Sequence, residues 1–212
     1  MEGPINKLII SPHVDDEVLA CGGILDENSF VYYCGIDESK VAPDPVHRIT
    51  MEKREDELRR VSEYLGYKYE INKESKVNFY QDSENEFRDK FEELINKLKP
   101  EMIFIPIPSY NQDHKAIYRA LQVALRPHDK NFFVKKVLLY EQPHSIMWEP
   151  QDYRPNYFIP INIDRKITAY KLQESQVRAF RSPEIVRAIA KLRGAQANSN
   201  HAEGFVVQRW IE

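Results

Sequence analysis

Residues 7–23, which read KLIISPHVDDEVLACGG, constrain the fold more than any other stretch of the chain. An apolar run that suits a buried strand is followed by a histidine and three consecutive acids, and then by apolar residues at helical spacing. His13, Asp15, Asp16 and Glu17 therefore follow the carboxyl end of a strand, the edge where open α/β sheets bind ligands. Four polar groups between two apolar elements make metal chemistry the first candidate for this edge.

The alternation of strand and helix patterns continues through the first 140 residues and predicts an α/β fold. It is typical of a mostly parallel, doubly wound sheet with helices on both faces. The 212 residues suit one domain, 1–212, to which the part after about residue 130 adds further strands and helices. The predicted strands are 7–11, 30–35, 68–72, 102–107, 134–140, 157–161 and 204–210, and the predicted helices are 16–25, 50–65, 83–98, 114–125, 163–180 and 183–192.

Composition and charge argue against several classes of protein. A net charge of -3 and a pI near 6.1 give no sign of a nucleic-acid partner. No apolar run reaches the roughly 20 residues that span a bilayer, and the N-terminal apolar run is too short for a signal peptide, so we expect a cytoplasmic protein without a membrane span. No G-x-G-x-x-G follows the first strand, which disfavours a dinucleotide site. Cys21 and Cys34 lie among apolar residues and are expected to be buried thiols.

The polar cluster has the composition of a catalytic zinc site. His13 and Asp16 lie three residues apart across a strand-to-helix turn and can face one point. His114 follows the buried strand MIFIPI and projects from the same sheet edge, which makes it the best third ligand. Two histidines and one aspartate leave a fourth position open for water, and Asp15 would be the carboxylate that takes that water's proton.

A simpler explanation is that Asp15, Asp16 and Glu17 only cap the following helix and complement its dipole. Capping accounts for one carboxylate, or at most two. It does not account for His13 directly upstream, so we favour the metal interpretation.

Three segments resemble the PIG-L / LmbE-like deacetylase family. SPHVDDEVLACGG at 11–23 is similar to the family signature A/S-H-P-D-D-E, and NQDHKAIYRA at 111–120 is similar to its H-x-D-H-x-A segment. TMEKREDELRRVSEYLG at 50–66 resembles the helix in which the family has an Arg followed three residues later by a Glu. The segments LKPEMIFIPIPS, PNYFIPINI and NSNHAEGF also fit, so the resemblance spans essentially the whole chain.

The resemblance implies a zinc-dependent N-deacetylase with a Rossmann-like fold. Family substrates are mostly N-acetylglucosaminyl conjugates, so the implied partner is a small-molecule N-acetyl sugar. By position in the motifs, His13, Asp16 and His114 are the implied metal ligands and Asp15 is the implied general base. Zn²⁺ is the implied cofactor, although such a ligand set also binds other divalent ions such as Fe²⁺. Because the family is commonly oligomeric, the resemblance also implies a homo-oligomer.

The chain departs from the family pattern at two positions. Val14 replaces the proline of the first motif, which removes no functional group. Asn111 stands where many members have the first histidine of the second motif, and we place it among the substrate-binding residues. His144, which follows the strand ending at Tyr140, is the candidate that would replace the missing histidine as oxyanion stabiliser or general acid; otherwise it is a solvated loop residue.

Other polar residues admit two interpretations each. Arg54 either binds a hydroxyl, phosphate or carboxylate of the substrate or forms a surface pair with Glu57. Asp113 either orients a ligand histidine or caps its own helix. Glu17 is a helix cap or a residue that supports the ligands from behind.

Three loops, 36–48, 78–86 and 141–157, are expected to shape the pocket. The basic run RSPEIVRAIAKLRG at 181–194 is either a solvated helix face or a surface for an acidic substrate group or partner subunit. Aromatic residues near the third loop either line a sugar subsite or belong to the core, and three further histidines are expected at the surface or in loops. The aromatics are Tyr140, Trp148, Tyr153 and Tyr157, and the histidines are His47, His128 and His201.

Two other functions remain open from the sequence. A phosphoester hydrolase would keep the metal, but two-metal phosphatases need more Asp and His ligands than the one convincing set of three found here. A non-catalytic sugar- or metal-binding protein of the same fold would have no use for Asp15 beside an open metal position.

Overall fold

A central sheet organises the chain, and the computed structural model describes residues 4–36, 49–73, 84–147 and 153–212. In these ranges the sheet has seven strands in the order β3-β2-β1-β4-β5-β7-β6. β1 to β5 run parallel to one another, whereas β7 is antiparallel to both β5 and β6. The strands are β1 (Lys7–Ser11), β2 (Ser29–Tyr33), β3 (Lys68–Ile71), β4 (Met102–Pro106), β5 (Lys136–Tyr140), β6 (Tyr157–Pro160) and β7 (Ala202–Trp210).

Helices cover both faces of the sheet. The side chains of β1 alternate, so Ile9 packs in one core with α1, α2, α6 and α7, while Leu8 and Ile10 pack in a second core with α3 and α4. The helices are α1 (Asp16–Cys21), α2 (Met51–Leu65), α3 (Glu84–Leu98), α4 (Gln112–Ala124), α5 (Pro143–Met147), α6 (Ile163–Lys171) and α7 (Pro183–Gln196). The predicted α/β class, with a mostly parallel, doubly wound sheet, is confirmed.

The prediction of one long helix over 163–180 is wrong. α6 ends at Lys171, and two short 3₁₀ turns follow at Glu174–Gln176 and Ala179–Arg181. The side chain of Gln173 is fully buried and donates to Glu17 Oε1 at 2.8 Å, and the backbone N–H of Ser175 donates to Glu57 Oε1 at 3.0 Å. These tertiary bonds replace the helical ones.

Two smaller differences concern helix lengths near the site. The helix predicted over 16–25 ends at Cys21, before two glycines, and the predicted loop 141–157 contains the one-and-a-half-turn helix α5. Most of the predicted loops 36–48 and 78–86, with His47 and Trp148, lies outside the described residues. No helix in the described ranges combines the length and apolar character that a membrane crossing needs.

The order of the strands in the sheet determines where the candidate site lies. The chain leaves β1 towards β2 on one side, and β4 is added on the other side of β1. This reversal is the switch point at which open α/β sheets form a ligand crevice beyond the carboxyl ends of the strands. The β1–α1 turn and the segment between β4 and α4 both open into that crevice.

Candidate active site

The turn between β1 and α1 is held by its own polar groups. The Ser11 hydroxyl donates to the carbonyl of His13 at 2.7 Å, and the backbone N–H of His13 donates to Asp16 Oδ2 at 2.9 Å. Asp15 has φ 130° and ψ -24°, a backbone region that residues with a Cβ rarely adopt. The turn therefore directs the side chains of His13, Asp15 and Asp16 into one crevice, at the cost of local strain.

Three side chains converge there with the geometry of a metal site. One ligand atom each from His13, Asp16 and His114 lies within 4.8 Å of the other two. Asp16 Oδ2 is 3.4 Å from His13 Nδ1 and 3.2 Å from His114 Nε2. Donors about 2.1 Å from a tetrahedral zinc ion are about 3.4 Å apart, so the spacing and the donor types fit Zn²⁺.

His13 is oriented by a second carboxylate. Its Nε2 is 3.0 Å from Asp113 Oδ2, which leaves Nδ1 directed towards Asp16 and the cluster. Such carboxylate contacts behind a ligand histidine fix its ring and tautomer. Burial alone would lower the pKa of His13, but hydrogen bonds to Asp113 and Asp16 outweigh it and raise the pKa to about 10. The carboxylates of Asp113 and Asp16 therefore surround the imidazole with negative charge, which a bound cation would offset.

His114 enters the cluster from the first turn of α4. Asn111 is the N-cap of this helix, and its Oδ1 accepts from the N–H of Asp113 at 2.9 Å and of His114 at 3.4 Å. The alternative that Asp113 caps the helix is therefore wrong. Asn111 also lines the crevice, and its predicted contact with substrate stays a prediction. Asn111, at the position where many family members have a histidine, thus caps α4 with its side-chain oxygen, and this role does not require an imidazole.

Asp16 lies between the two histidines as an ionised carboxylate. Burial would raise its pKa, but the charge and hydrogen bonds of His114, followed by those of His13, hold the pKa well below its usual range. His114 is itself 1% exposed, and its Nδ1 has no hydrogen-bond partner among the described residues. Both features suit a site that receives a cation.

Asp15 stands beside the cluster without joining it. It occupies the N-cap position of α1 but makes no capping bond through its side chain, so helix capping does not explain it. Its Oδ2 is 2.7 Å from Nη1 of Arg181. Burial raises the pKa of Asp15; Arg181 opposes this rise and Asp16 adds to it. The result is a carboxylate that is more basic than usual.

Glu17 supports Asp15 from behind. Its Oε2 accepts from the backbone N–H of Asp15 at 3.0 Å, and its Oε1 accepts from Gln173 Nε2 at 2.8 Å. Burial, followed by the charge of Asp15, raises the pKa of Glu17 to about 7. Glu17 thus braces the strained turn instead of capping the helix with an exposed carboxylate.

The crevice is a cavity of about 380 Å³, within the usual size range for small-molecule sites. His144, on α5, lies in its wall, with its ring 5.7 Å from that of His114 and 5.1 Å from that of Tyr110. The buried Nε2 of His144 has no hydrogen-bond partner among the described residues. Burial, followed by the charge of His114, lowers the pKa of His144 to about 4, so the ring is neutral at physiological pH.

Arg54 and Glu57 of α2 are both buried, so they do not form an exposed surface pair. Arg54 is 7% exposed and lines the cavity. Glu57 instead accepts two hydrogen bonds from Ser175, one from its N–H at 3.0 Å and one from its hydroxyl at 2.5 Å. The Arg-x-x-Glu pattern therefore places one residue in the cavity and uses the other to anchor a distant segment.

Of the four aromatic residues considered for a sugar subsite, the three that the structure describes do not line the cavity. Tyr140 is fully buried and donates to the carbonyl of Ile10, and Tyr153 donates to the carbonyl of Leu139, both at 2.8 Å. Among the described residues, the aromatic rings in the cavity wall come from Tyr110 and Phe180 instead. Tyr157 packs against Trp210, away from the site.

The basic run beginning at residue 181 divides between the cavity and the core. Arg181 contacts Asp15, whereas Arg193 forms a buried ion pair with Glu141. Sequence reasoning missed Arg178, which also lines the cavity, and the supporting role of Gln173. The only available signal was the density of arginines between 178 and 193.

Solved structures with the same fold are similar along nearly the whole chain. A conserved protein from Thermus thermophilus has a TM-score of 0.76 and 22% identity, with 98% of this chain and 96% of that chain covered. The 4-carboxy-2-hydroxymuconate hydratase of Pseudomonas putida has a TM-score of 0.75 and 20% identity, with 98% of each chain covered. N,N'-diacetylchitobiose deacetylase from Pyrococcus horikoshii has a TM-score of 0.70 and 19% identity, with 97% and 84% covered.

These structural likenesses establish the fold and not the reaction, since a hydratase and a deacetylase both occur among them. No curated protein matches the chain significantly. A family model does match, over residues 8–125. The matched stretch contains His13, Asp16 and His114, which we name the metal-type cluster. Because the match covers more than half of the chain, the chain belongs to the PIG-L family, whose model is described as GlcNAc-PI de-N-acetylase.

Proposed function

We propose that the protein is a metal-dependent hydrolase that removes the N-acetyl group from an N-acetylglucosamine-type sugar or sugar conjugate. The observation that carries the proposal is the arrangement of His13, Asp16 and His114 around one point, with the unliganded carboxylate of Asp15 beside it. Membership of the PIG-L family and the deacetylase among the structural neighbours support the choice of an N-acetyl sugar.

His13, Asp16 and His114 would hold the metal, which we propose to be Zn²⁺. When bound, a zinc ion supplies Lewis-acid polarisation of the acetyl carbonyl and lowers the pKa of water. Asp15, whose pKa is raised chiefly by burial, accepts the proton of the attacking water. The same carboxyl group then gives the proton to the departing amine.

His144 would stabilise the oxyanion as the acetyl carbon becomes tetrahedral. Its lowered pKa of about 4 leaves it neutral at physiological pH, so it acts as an N–H donor and not as an imidazolium acid. Of the two roles expected for His144, oxyanion stabiliser and general acid, we therefore propose the first. Arg54 and Asn111, which line the cavity, would contact the rest of the sugar.

The phosphoester alternative gains no support from the site. The described residues form one group of three metal-type ligands, whereas two-metal phosphatases need further acids and histidines. The carboxylate of Asp15 also gives an enzyme a means of moving a proton that a binding protein does not need.

The test is a panel of N-acetyl sugars, free, phosphorylated and nucleotide-linked, assayed for released acetate. We expect one class to release acetate, the release to stop after chelation, and added Zn²⁺ to restore it. A His128→Ala variant is the matched control, because it removes a histidine that lies outside the site. Zinc-loaded protein that releases no acetate from any member would contradict the proposal.

A further inference from the structure

The cavity wall carries more cationic than anionic side chains. Three arginines line it, Arg54, Arg178 and Arg181, against two carboxylates, Asp15 and Asp16. A bound divalent cation would increase this positive excess. The balance indicates a ligand that brings negative charge of its own.

Both carboxylates are already engaged. Asp16 lies between two histidines, and Asp15 is paired with Arg181 at 2.7 Å. Neither has Arg178 as a partner. In the part of the chain that the structure describes, the side chain of Arg178 makes no hydrogen bond or ion pair, although it lines a cavity rich in polar groups.

The surroundings of Arg178 repel a cation. Burial, followed by the charges of Arg181 and Arg54, lowers the pKa of Arg178, and Asp15 offsets only part of this. Arg178 is an exposed residue, but its guanidinium lines a concave site together with two other arginines. An anion bound there would relieve the repulsion between these like charges.

Residues 174–181, which we name the arginine segment, are held firmly. The Tyr170 hydroxyl contacts the carbonyl of Gln176 at 3.1 Å and that of Arg181 at 2.7 Å. Glu57 accepts from the N–H and hydroxyl of Ser175, and Gln176 Oε1 accepts from Arg181 at 3.2 Å. The backbone on both sides of Arg178 is thus tied down, so its side chain is presented from a fixed base.

We propose that the N-acetyl sugar carries an anionic oxygen group, a carboxylate or a phosphate, and that Arg178 binds it. This rests on the deacetylase function proposed above and adds the charge class of the substrate. Arg181 is committed to Asp15, so Arg178 provides the guanidinium that is available to the anion. A planar guanidinium offers paired donors to either group.

Three glycosides of N-acetylglucosamine test the proposal: a neutral methyl glycoside, one with a carboxylate on the aglycone, and one with a phosphate. We expect kcat/KM for an anionic glycoside to exceed that of the neutral one by about 10- to 100-fold, the scale of charge-assisted hydrogen bonds. The carboxylate and phosphate arms show which group is preferred. Arg178→Ala should bring the ratio of kcat/KM for the anionic glycoside to that for the neutral one close to 1, and Arg178→Lys should restore part of this ratio.

Arg187→Ala is the matched control. It removes the same charge nine residues further on, where Arg187 pairs with Asp164 at the surface and does not line the cavity. Its kcat/KM values should equal those of the wild type for all three glycosides. A fall of the anionic advantage in Arg187→Ala as large as in Arg178→Ala would overturn the assignment to Arg178.

A binding measurement separates this proposal from the deacetylase function. Calorimetry of the metal-free protein with inorganic phosphate should give a dissociation constant about tenfold weaker for Arg178→Ala than for wild type. Equal binding by both proteins overturns the anion site. Equal acetate release from neutral and anionic glycosides also overturns it but supports the deacetylase. Arg178-dependent phosphate binding without acetate from any glycoside supports the anion site and contradicts the deacetylase.

Discussion

Asp15 combines a strained backbone with a buried carboxylate. Its φ of 130° persists because Glu17 accepts from its N–H and Arg181 contacts its side chain. Asparagine tolerates positive φ better than alanine, so Asp15→Asn removes the charge with less disturbance of the turn.

We expect Asp15→Asn to retain the metal and to lose kcat by about 10²-fold or more, the usual scale for a general base. Acetate release and zinc content of the purified protein measure the two effects. The assignment fails if the variant turns over at the wild-type rate. Loss of zinc in Asp15→Asn would instead make Asp15 a ligand.

At this scale the motif residues were predictable, because strand-to-helix turns put neighbouring side chains at one point. His13 and Asp16 are three residues apart, and the position of His114 after a buried strand predicted the same sheet edge. Arg178 was not predictable. Its place in the cavity depends on how a distant segment folds back, and no local pattern encodes that.

α2 joins the site to the arginine segment. Arg54 points into the cavity from one turn, and Glu57 holds Ser175 from the next. Because Glu57 is 1% exposed, its two accepted hydrogen bonds are shielded from water. The helix therefore couples the position of the arginines to the body of the sheet.

Glu57→Gln places an amide N–H₂ opposite the donors of Ser175. We expect the free energy of unfolding to fall by about 1–3 kcal/mol, since a buried donor loses its acceptor. KM should rise as the arginine segment loosens. Chemical denaturation and steady-state kinetics measure the two effects.

Glu63→Gln is the control for this helix, since Glu63 is exposed and pairs with Arg59. It should change unfolding by no more than a few tenths of a kcal/mol. If Glu57→Gln lowers the free energy of unfolding no more than Glu63→Gln does, the hydrogen bonds between Ser175 and Glu57 do not stabilise the fold.

The observed ends of helices and strands agreed with the predicted ones where local sequence signals dominated. Thr50 accepts from Lys53 at the start of α2, and Gly66, with φ 88°, ends it as predicted. The predicted helix over 163–180 had a good helical pattern, yet it ends at Lys171 because Gln173 and Ser175 bond to Glu17 and Glu57. Those partners lie more than 100 residues away, so a local pattern could not contain them.

At the scale of the whole molecule, the metal-type cluster brings together residues that follow two different strands, β1 and β4. His13 and Asp16 follow β1, and His114 follows β4, so an ion held by all three exists only in the folded chain. Binding to the folded state alone adds about 2.7 kcal/mol at a concentration of 100 Kd. For a chain of this size the melting temperature should then rise by roughly 5–10 °C.

Thermal unfolding with chelator and with Zn²⁺ measures this rise. His114→Ala should lose the zinc-dependent shift, whereas His128→Ala should keep it, because the hydrogen bonds of His128 to described residues stay within its own loop. An undiminished shift in His114→Ala would place the stabilising ion elsewhere.

The arginine segment lies outside the 8–125 stretch that matches the family, whereas all three residues of the metal-type cluster lie within it. Three short side-chain contacts join 8–125 to this part of the chain: Gln173 to Glu17 just before the segment, and Ser175 to Glu57 and Arg181 to Asp15 within it. Substitutions at positions of the segment that make none of these contacts therefore leave the metal-type cluster and Asp15 in place. Under the proposed function, selection for a new conjugate has a compact mutational target around Arg178, and a lineage can change which conjugate it binds while it keeps the residues of the metal-type cluster.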